Sequence, residues 1–186
     1  NYGQDMPFLL NSTPSAVTTS DAGNGIGYTG IRIRGNDATR VNVAINGIPY
    51  NDAESHQTFW VNLPDIAAST DDVQIQRGIG TSANGVTATG ASINLYTNDL
   101  SETPFGFVNA NAGSFNLTRI STGFGTGRIN DHWFLEGRLS RLKSDGFIDR
   151  SFADLSSYFI TAGWDSKNYT SIVNVISGKE KTYQSW

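Results

Sequence analysis

From Phe105 onward, apolar and polar residues alternate over long stretches, which is the two-residue period of a β-strand with two different faces. The clearest segment carries on one face Trp133, Leu135, Gly137 and Leu139, and on the other Glu136, Arg138 and Ser140. The pattern predicts five long strands with short connections, in the segments "FGFVNANAGS", "LTRISTGFGTGRI", "WFLEGRLSRLKSDGFI", "SSYFITAGWDS" and "YTSIVNVISGKEKTYQSW". This spacing is typical of consecutive antiparallel hairpins.

Two architectures produce this alternation, and the pattern alone leaves both open. Aromatic residues at the ends of an apolar face favour a transmembrane β-barrel with a polar lumen, as do strands long enough for the about 9–11 residues that a membrane requires. A water-soluble antiparallel sheet with one face on a core gives the same period.

Residues 1–100 have a different pattern, in which short alternating runs are separated by glycine-rich turns. Ile31 and Ile33 alternate with two arginines, and residues 41–45, 73–76 and 92–96 alternate in the same way. Asn46-Gly47 is a strong turn signal between strands. The pattern predicts a small α+β domain with four short strands.

Two short helices are predicted in this N-terminal half. In "DMPFLLNS", Asp5 suits the N-cap and Pro7 suits the first turn. In "LPDIAAS", Pro64 and Asp65 suit a first turn. Both segments are short, so their packing must come from the rest of the domain.

The composition argues against several classes of function and says less about the fold. The chain has 186 residues, 16% of them charged, with 20 glycines and many aromatic residues, which favours β-structure over a helix bundle. A net charge of −4 gives no support to nucleic-acid binding. Because there is no cysteine, a disulfide framework and a cysteine metal site are excluded. We find no run of about 18 apolar residues and therefore expect no transmembrane helix.

The ordered motifs "GIRIRG", "RVNVAINGIPYND", "NLPDI" and "VQIQRGIGTSANGVTATGASINLYT" resemble the plug domain of a TonB-dependent outer-membrane transporter. In that family, a strand ending in Arg-Gly precedes a strand ending in an Asp-Gly-x-Pro turn. A strand ending in Arg-Gly-Pro and a segment "YGxxAxGGxINIxT" follow and lead into the barrel. Here Asn46-Gly47 replaces Asp-Gly, which forms the same turn, while Ile79 replaces the proline and Asn84-Gly85 replaces Tyr-Gly. The segment "NDAESHQTFWVNLPD" resembles the Bacteroidetes-type version.

The resemblance implies three regions. Residues 1–98 are a plug domain with a short mixed four-stranded sheet, residues 99–104 are a linker, and residues 105–186 are the first five strands of a transmembrane barrel. The family barrel has about 22 strands. Five strands would leave open edges in lipid, so we expect the chain to be a fragment of a larger polypeptide.

The resemblance also suggests two sets of site residues. Arg34 and Arg77 match the two plug arginines that pair with barrel glutamates and lock the plug in the lumen. The alternative for both is an exposed arginine or a local ion pair, which contributes little at a surface. The loop after "NGIPYND" faces the ligand in the family, which makes substrate-binding candidates of His56, Gln57, Phe59 and Trp60. Phe59 and Trp60 have the alternative of packing inside the plug.

Other chemistries have little support in the sequence. "GIGYTG" satisfies G-x-G-x-x-G, but its strand follows rather than precedes it, so turn glycines explain it better than a dinucleotide site. His56 has no second ligand at metal-site spacing. Neither a catalytic triad nor an opposed carboxylate pair is present. We therefore predict no enzyme activity, no metal and no cofactor.

The resemblance implies active import of a scarce ligand across the outer membrane of a Gram-negative bacterium. Siderophores, cobalamin and haem are compatible cargoes. The implied partners are TonB, outer-membrane lipid, the transported ligand and a surface lipoprotein, with no nucleic acid. The alternative is a soluble β-rich ligand-binding or interaction module, in which the later strands form a sandwich.

Overall fold

The computed structural model describes residues 3–79, 89–97 and 99–183. Asn84-Gly85, which replaces the Tyr-Gly of the family motif, lies outside these ranges. We call residues 3–97 the N-terminal unit. It contains the helix α1 (Met6–Leu9), the strands β1 (Ala16–Ser20), β2 (Thr29–Ile33), β3 (Val41–Ile45), β4 (Ile48–Pro49), β5 (Asp72–Arg77) and β6 (Ala91–Tyr96), and the 3₁₀ turns Leu10–Ser12, Ala38–Arg40, Trp60–Asn62 and Ile66–Ser69.

The N-terminal unit contains a mixed four-stranded sheet, as predicted, with the order β4-β3-β6-β5. β3 and β6 are parallel, and the other two pairs are antiparallel. The Asn46-Gly47 turn joins β3 to the two-residue strand β4. Pro49 lies on this edge strand, where a missing ladder N–H is tolerated.

The arginine-bearing strand is not part of this sheet, which differs from the prediction. β2 pairs with β1 in a separate antiparallel two-stranded sheet, with Arg32 opposite Val17. Arg34 lies just beyond β2 and adopts a left-handed conformation with φ of 54°. This conformation ends the strand, because a non-glycine residue with positive φ does not continue a pleat.

One apolar core holds the N-terminal unit together. Ile33, Ile93 and Leu95 have no exposed surface, and α1 and the 3₁₀ turns cover them through residues that include Met6 and Trp60. Fully burying an aliphatic side chain contributes about 1.5–3 kcal/mol. The core therefore fixes the positions of the loops around it.

The first predicted helix forms where it was expected, whereas the second predicted segment is not an α-helix. Asp5 is the N-cap of α1 without a capping side-chain bond. Its carboxylate instead accepts a hydrogen bond of 3.0 Å from the Thr29 hydroxyl, so the predicted N-cap position is confirmed but side-chain capping is absent. The second segment is a 3₁₀ turn from Ile66 to Ser69 rather than an α-helix, and Asp65 before it is left-handed.

Five long strands follow, as predicted, and we call them the C-terminal sheet. They are β7 (Phe105–Gly113), β8 (Leu117–Gly125), β9 (Trp133–Ser144), β10 (Ala153–Asp165) and β11 (Thr170–Thr182). The sheet is an antiparallel meander with the order β11-β10-β9-β8-β7. Each strand pairs with its sequence neighbours, because the connections are short.

The two faces of the C-terminal sheet differ as the alternation predicts. On β9, Trp133 and Leu139 are 56% and 60% exposed, whereas Arg138 and Ser140 are buried against the N-terminal unit. Phe159 departs from the apolar outer pattern of β10, and its side chain is buried on the inner face. The outer face is therefore apolar and uncovered, and the inner face contacts the N-terminal unit. Within the described residues, no helix is long and apolar enough to cross a membrane.

Candidate functional site

Among the described residues, Asp65 forms the most buried ion pairs, and they join the N-terminal unit to the C-terminal sheet. Its left-handed backbone, with φ of 56°, follows Pro64 and turns the carboxylate toward the strands. Arg119 donates to both carboxylate oxygens, at 3.0 Å from Nε to Oδ1 and 2.8 Å from Nη2 to Oδ2. Arg138 Nη1 donates to Oδ2 at 3.0 Å, and the Ser140 hydroxyl donates to the same oxygen. Bidentate arginine–carboxylate pairs of this kind are among the strong hydrogen bonds.

Strand periodicity places the partners of Asp65 on one inner face. Arg119 lies on β8, and Arg138 and Ser140 lie two residues apart on β9, so all three point toward the N-terminal unit. Arg138 also donates from Nε to the Ser69 hydroxyl at 2.6 Å. We call these five residues the Asp65 cluster.

The Asp65 cluster is almost fully shielded from water. The side chains of Asp65, Arg119 and Arg138 are only 5–6% exposed. One carboxylate balances two guanidinium groups, so the ion pairs leave a formal charge of +1. Removing one partner from a buried ion pair typically costs 3–5 kcal/mol, because the remaining charge loses its counter-ion in a low dielectric. The contact is therefore a strong attachment between the two parts.

The polarity of this attachment is opposite to the one that the family resemblance implies, which has arginines on the N-terminal unit and carboxylates on the strands. The sequence pattern indicated only a helix start at Asp65. The inward position of Arg138 and Ser140 was visible in the alternation of β9. The partnership with Asp65 was not, because the residues lie more than 50 positions apart.

Arg34 and Arg77 lie close together on the surface of the N-terminal unit. Both are exposed, and Arg77 Nη1 donates to the Pro14 carbonyl at 3.3 Å. A Cβ atom on Gly78 would lie 2.9 Å from Arg34 Nη1, so the Arg34 guanidinium lies directly over the residue after Arg77. Among residues 3–79, 89–97 and 99–183, neither arginine forms an ion pair. Their locking role stays a prediction.

Three of the four predicted substrate residues line one cavity of about 210 Å³ in the N-terminal unit. Gln57 is half-buried and Phe59 is 40% exposed, whereas Trp60 is 3% exposed and belongs to the apolar core. Asp21 and Tyr28 also line the cavity. Trp60 therefore presents little surface to a ligand, and Phe59 presents much more.

The side chain of Asn51 fixes the loop that carries these residues. Its Oδ1 accepts from the Val43 N–H at 2.6 Å, and its Nδ2 donates to the carbonyls of Val41 and His56, both at 2.9 Å. His56 is exposed and does not line the cavity. In the part of the chain that the structure describes, no group of three or more His, Cys, Asp or Glu side chains forms a metal site.

Two carboxylates of the N-terminal unit have shifted pKa values. Hydrogen bonds from the Ser55 N–H and hydroxyl lower the pKa of Asp52, which stabilises the turn after β4 in the ionised state. Burial raises the pKa of Asp5 to about 7, although the hydrogen bond from Thr29 opposes this shift. Asp5 therefore titrates near neutral pH.

Further hydrogen bonds attach earlier segments of the chain to both ends of the C-terminal sheet. At one end, the loop of residues 21–28 contacts the β9–β10 connection, because the Phe147 N–H donates to the Ala22 carbonyl at 2.9 Å and Asn24 donates to Ser144 at 2.8 Å. At the other end, the Ser101 N–H donates to Glu136 at 2.7 Å, which binds the segment after β6 to β9.

The family model for the TonB-dependent receptor plug domain matches residues 3–92. Residues 3–92 form a TonB-dependent receptor plug domain. The prediction of this family is confirmed, and the N-terminal unit is the plug. The resemblance to the Bacteroidetes-type version stays a prediction.

Solved structures show that the fold extends over both parts of the chain. The siderophore receptor PirA from Acinetobacter baumannii is 16% identical with a TM-score of 0.75, over 98% of this chain and 30% of that one. The copper transporter OprC is 14% identical with a TM-score of 0.79, over 97% and 28%. The FrpB iron transporter from Neisseria meningitidis is 18% identical with a TM-score of 0.77, over 97% and 30%.

The chain is much shorter than the proteins in these structures. It spans less than a third of the length of each of the three. The C-terminal sheet accordingly has the fold of part of the barrel in these structures, and the Asp65 cluster joins the plug to this sheet. No curated protein sequence matches the chain.

Proposed function

We propose that the complete protein imports a scarce ligand across the outer membrane of a Gram-negative bacterium, with the plug gating the barrel lumen and TonB supplying the work. The observation that carries this proposal is the plug seated on the polar inner face of the barrel strands through the buried Asp65 cluster. The outer face of the same strands is apolar and exposed, as lipid contact requires. A soluble module would have to cover this face.

The proposed ligand side is the plug surface around the cavity lined by Gln57, Phe59 and Trp60. Phe59 offers exposed aromatic surface and Gln57 offers an amide, which suits a small organic ligand with polar groups. His56 lies on the same loop. Siderophore, iron and copper are the ligands named for the similar receptors, and we propose a nutrient of this kind, with cobalamin and haem as further candidates.

Import requires the plug to loosen from the barrel. The Asp65 cluster is one attachment that must break or slide, and Arg34 and Arg77 provide further attachments to carboxylates on other barrel strands. The barrel strand number of about 22, the surface lipoprotein partner and the contact with outer-membrane lipid belong to the same proposal.

Uptake of labelled nutrients tests this function. The complete receptor is expressed in cells that lack their own outer-membrane importers, and uptake of ferric siderophores, cobalamin and haem is measured with and without TonB. We expect TonB-dependent uptake of one class of nutrient. Growth and uptake that are identical without TonB would reject the mechanism.

A pair of variants tests whether the ligand binds at the cavity. Phe59→Ala removes the exposed aromatic surface, and we expect ligand affinity to fall roughly 5-fold to 30-fold, in line with about 1–2 kcal/mol for a contact of this size. Val17→Ala is the matched control, because Val17 is exposed on the plug but does not line the cavity. Equal losses for both variants would place the ligand elsewhere.

A further inference from the structure

Four cations lie together on the outer face of the barrel strands, and we call Arg141, Lys143, Lys179 and Lys181 the basic patch. The strand register places Lys143, Asp154 and Lys181 in one row across β9, β10 and β11. Arg141, Ser156 and Lys179 form the adjacent row. All four cations are exposed on the side away from the plug.

The charges of the basic patch are not balanced. Asp154 accepts ion pairs from both Arg141 at 3.1 Å and Lys143 at 3.5 Å. Within residues 3–79, 89–97 and 99–183, Lys179 and Lys181 have no carboxylate partner. One acid among four cations leaves a net charge of +3 on a face that is otherwise apolar. Cations concentrated in this way attract an anionic group.

The height of the basic patch fits the edge of a membrane. Trp133 and Trp164 are opposite each other at the other end of β9 and β10. The ring centroids of Trp164 and Tyr169 are 4.9 Å apart, so these aromatic residues lie together as in an aromatic girdle. Lys143 follows Trp133 by ten residues, which is roughly 33 Å along the strand and about 25 Å along the membrane normal at the usual tilt. The apolar band of an outer-membrane barrel is about 25 Å tall, so the patch lies at its far edge.

Immediately below the charges is an open apolar groove of about 560 Å³. Ile120, Leu139 and Tyr158 form its apolar side, and Arg141 and Lys179 form its charged side. Tyr158 is one row below Arg141 and Lys179 in the sheet register. The groove therefore offers space for a hydrocarbon chain next to cations that suit its head group.

We propose that the basic patch binds the phosphates of a phosphorylated glycolipid in the outer leaflet, with an acyl chain in the adjacent groove. The proposal rests on the proposed function, which gives the sheet its orientation. The loop of residues 21–28 contributes Asp21 and Tyr28 to the ligand cavity and contacts the β9–β10 connection. The patch lies next to this connection, so a ligand side that faces outward places the patch in the outer leaflet.

Binding of diphosphoryl lipid A to the purified complete receptor in nonionic detergent tests the proposal. Lys179→Gln with Lys181→Gln removes the two lysines that lack a carboxylate partner. We expect affinity to fall about thirtyfold, since each cation near a lipid surface accounts for about 1 kcal/mol, or roughly fivefold. Lys167→Gln is the matched control, because Lys167 is exposed at the opposite end of the sheet, and we expect no change.

Several outcomes separate this site from its alternatives. Restored binding in Lys179→Arg with Lys181→Arg, and weak binding of the same glycolipid without phosphates, would support phosphate recognition. Equal affinity of the glutamine variant and the wild type would overturn the proposal. Displacement by inorganic phosphate at the concentration of the glycolipid, or equally tight binding of phosphatidylglycerol, would overturn the assignment to a glycolipid. Phosphate-dependent binding by a receptor that imports no ligand would support this site and count against the proposed function instead.

Discussion

Asp65→Asn is the sharpest test of the attachment between plug and barrel. The substitution keeps the size of the side chain but removes the charge that faces both Arg119 and Arg138, at 2.8 Å and 3.0 Å. Two buried guanidinium groups then face each other without a counter-ion. Breaking a buried pair in this way costs about 3–5 kcal/mol, which corresponds to a population of the detached plug that is larger by roughly 150-fold to 4,000-fold.

Hydrogen exchange measures this change in the complete receptor. Amides of residues 63–70 exchange through local opening, and the free energy of that opening is expected to fall by the cost of the lost ion pairs. Asp72→Asn is the matched control, because Asp72 is an exposed carboxylate on β5 of the same plug. Protection in the Asp65 variant that equals both wild type and control would refute the reasoning.

A double-mutant cycle separates the ion pairs from general disruption. Arg119→Gln removes one of the two cations, so in the Asp65→Asn background it relieves part of the repulsion. We expect the two losses to be non-additive by about 0.5–3 kcal/mol. Additive losses would mean that Asp65 and Arg119 act independently despite their contact.

Two predictions concern the plug itself. Because the pKa of Asp5 is about 7 in the folded plug against an ordinary value of 3.8, the folded state binds the proton more tightly, and its stability falls as pH rises from about 4 through 7. Asp5→Asn removes this loss, so the variant is expected to be more stable than wild type by about 3 kcal/mol more at pH 8 than at pH 5. Hydrogen exchange of the amides of residues 4–10 measures the difference. A difference in stability that does not change with pH would contradict the prediction. Asn51→Ala removes three hydrogen bonds and is expected to destabilise the loop of residues 52–58 by about 2–3 kcal/mol, measured by limited proteolysis. Half-buried Asn36→Ala near β2 is the comparison, and equal cleavage rates would reject the prediction.

The sequence predicted the C-terminal sheet well because its information is local. Alternation with a period of two decides which side chains of β9 point inward, and short connections decide which strands pair. The N-terminal sheet was harder. β1 has few apolar residues to mark it as a strand, so its pairing with β2 was missed, and the left-handed turn at Arg34 has no signature as clear as Asn46-Gly47. The Asp65 cluster could not be predicted, because its residues come from segments that are distant in the sequence. A contact of this kind leaves no periodic pattern in either segment.

The Asp65 cluster also has a consequence for the order of assembly. The strands β7–β11 join sequence neighbours, and such local contacts form early because their loops are short. Asp65 meets Arg119 and Arg138 across separations of 54 and 73 residues, so this contact is expected to form late. Until it forms, two inward arginines have no counter-ion from the plug. If the complete protein forms the proposed barrel, insertion of the barrel and docking of the plug are expected to be coupled, and a defective plug is expected to delay the maturation of its own barrel.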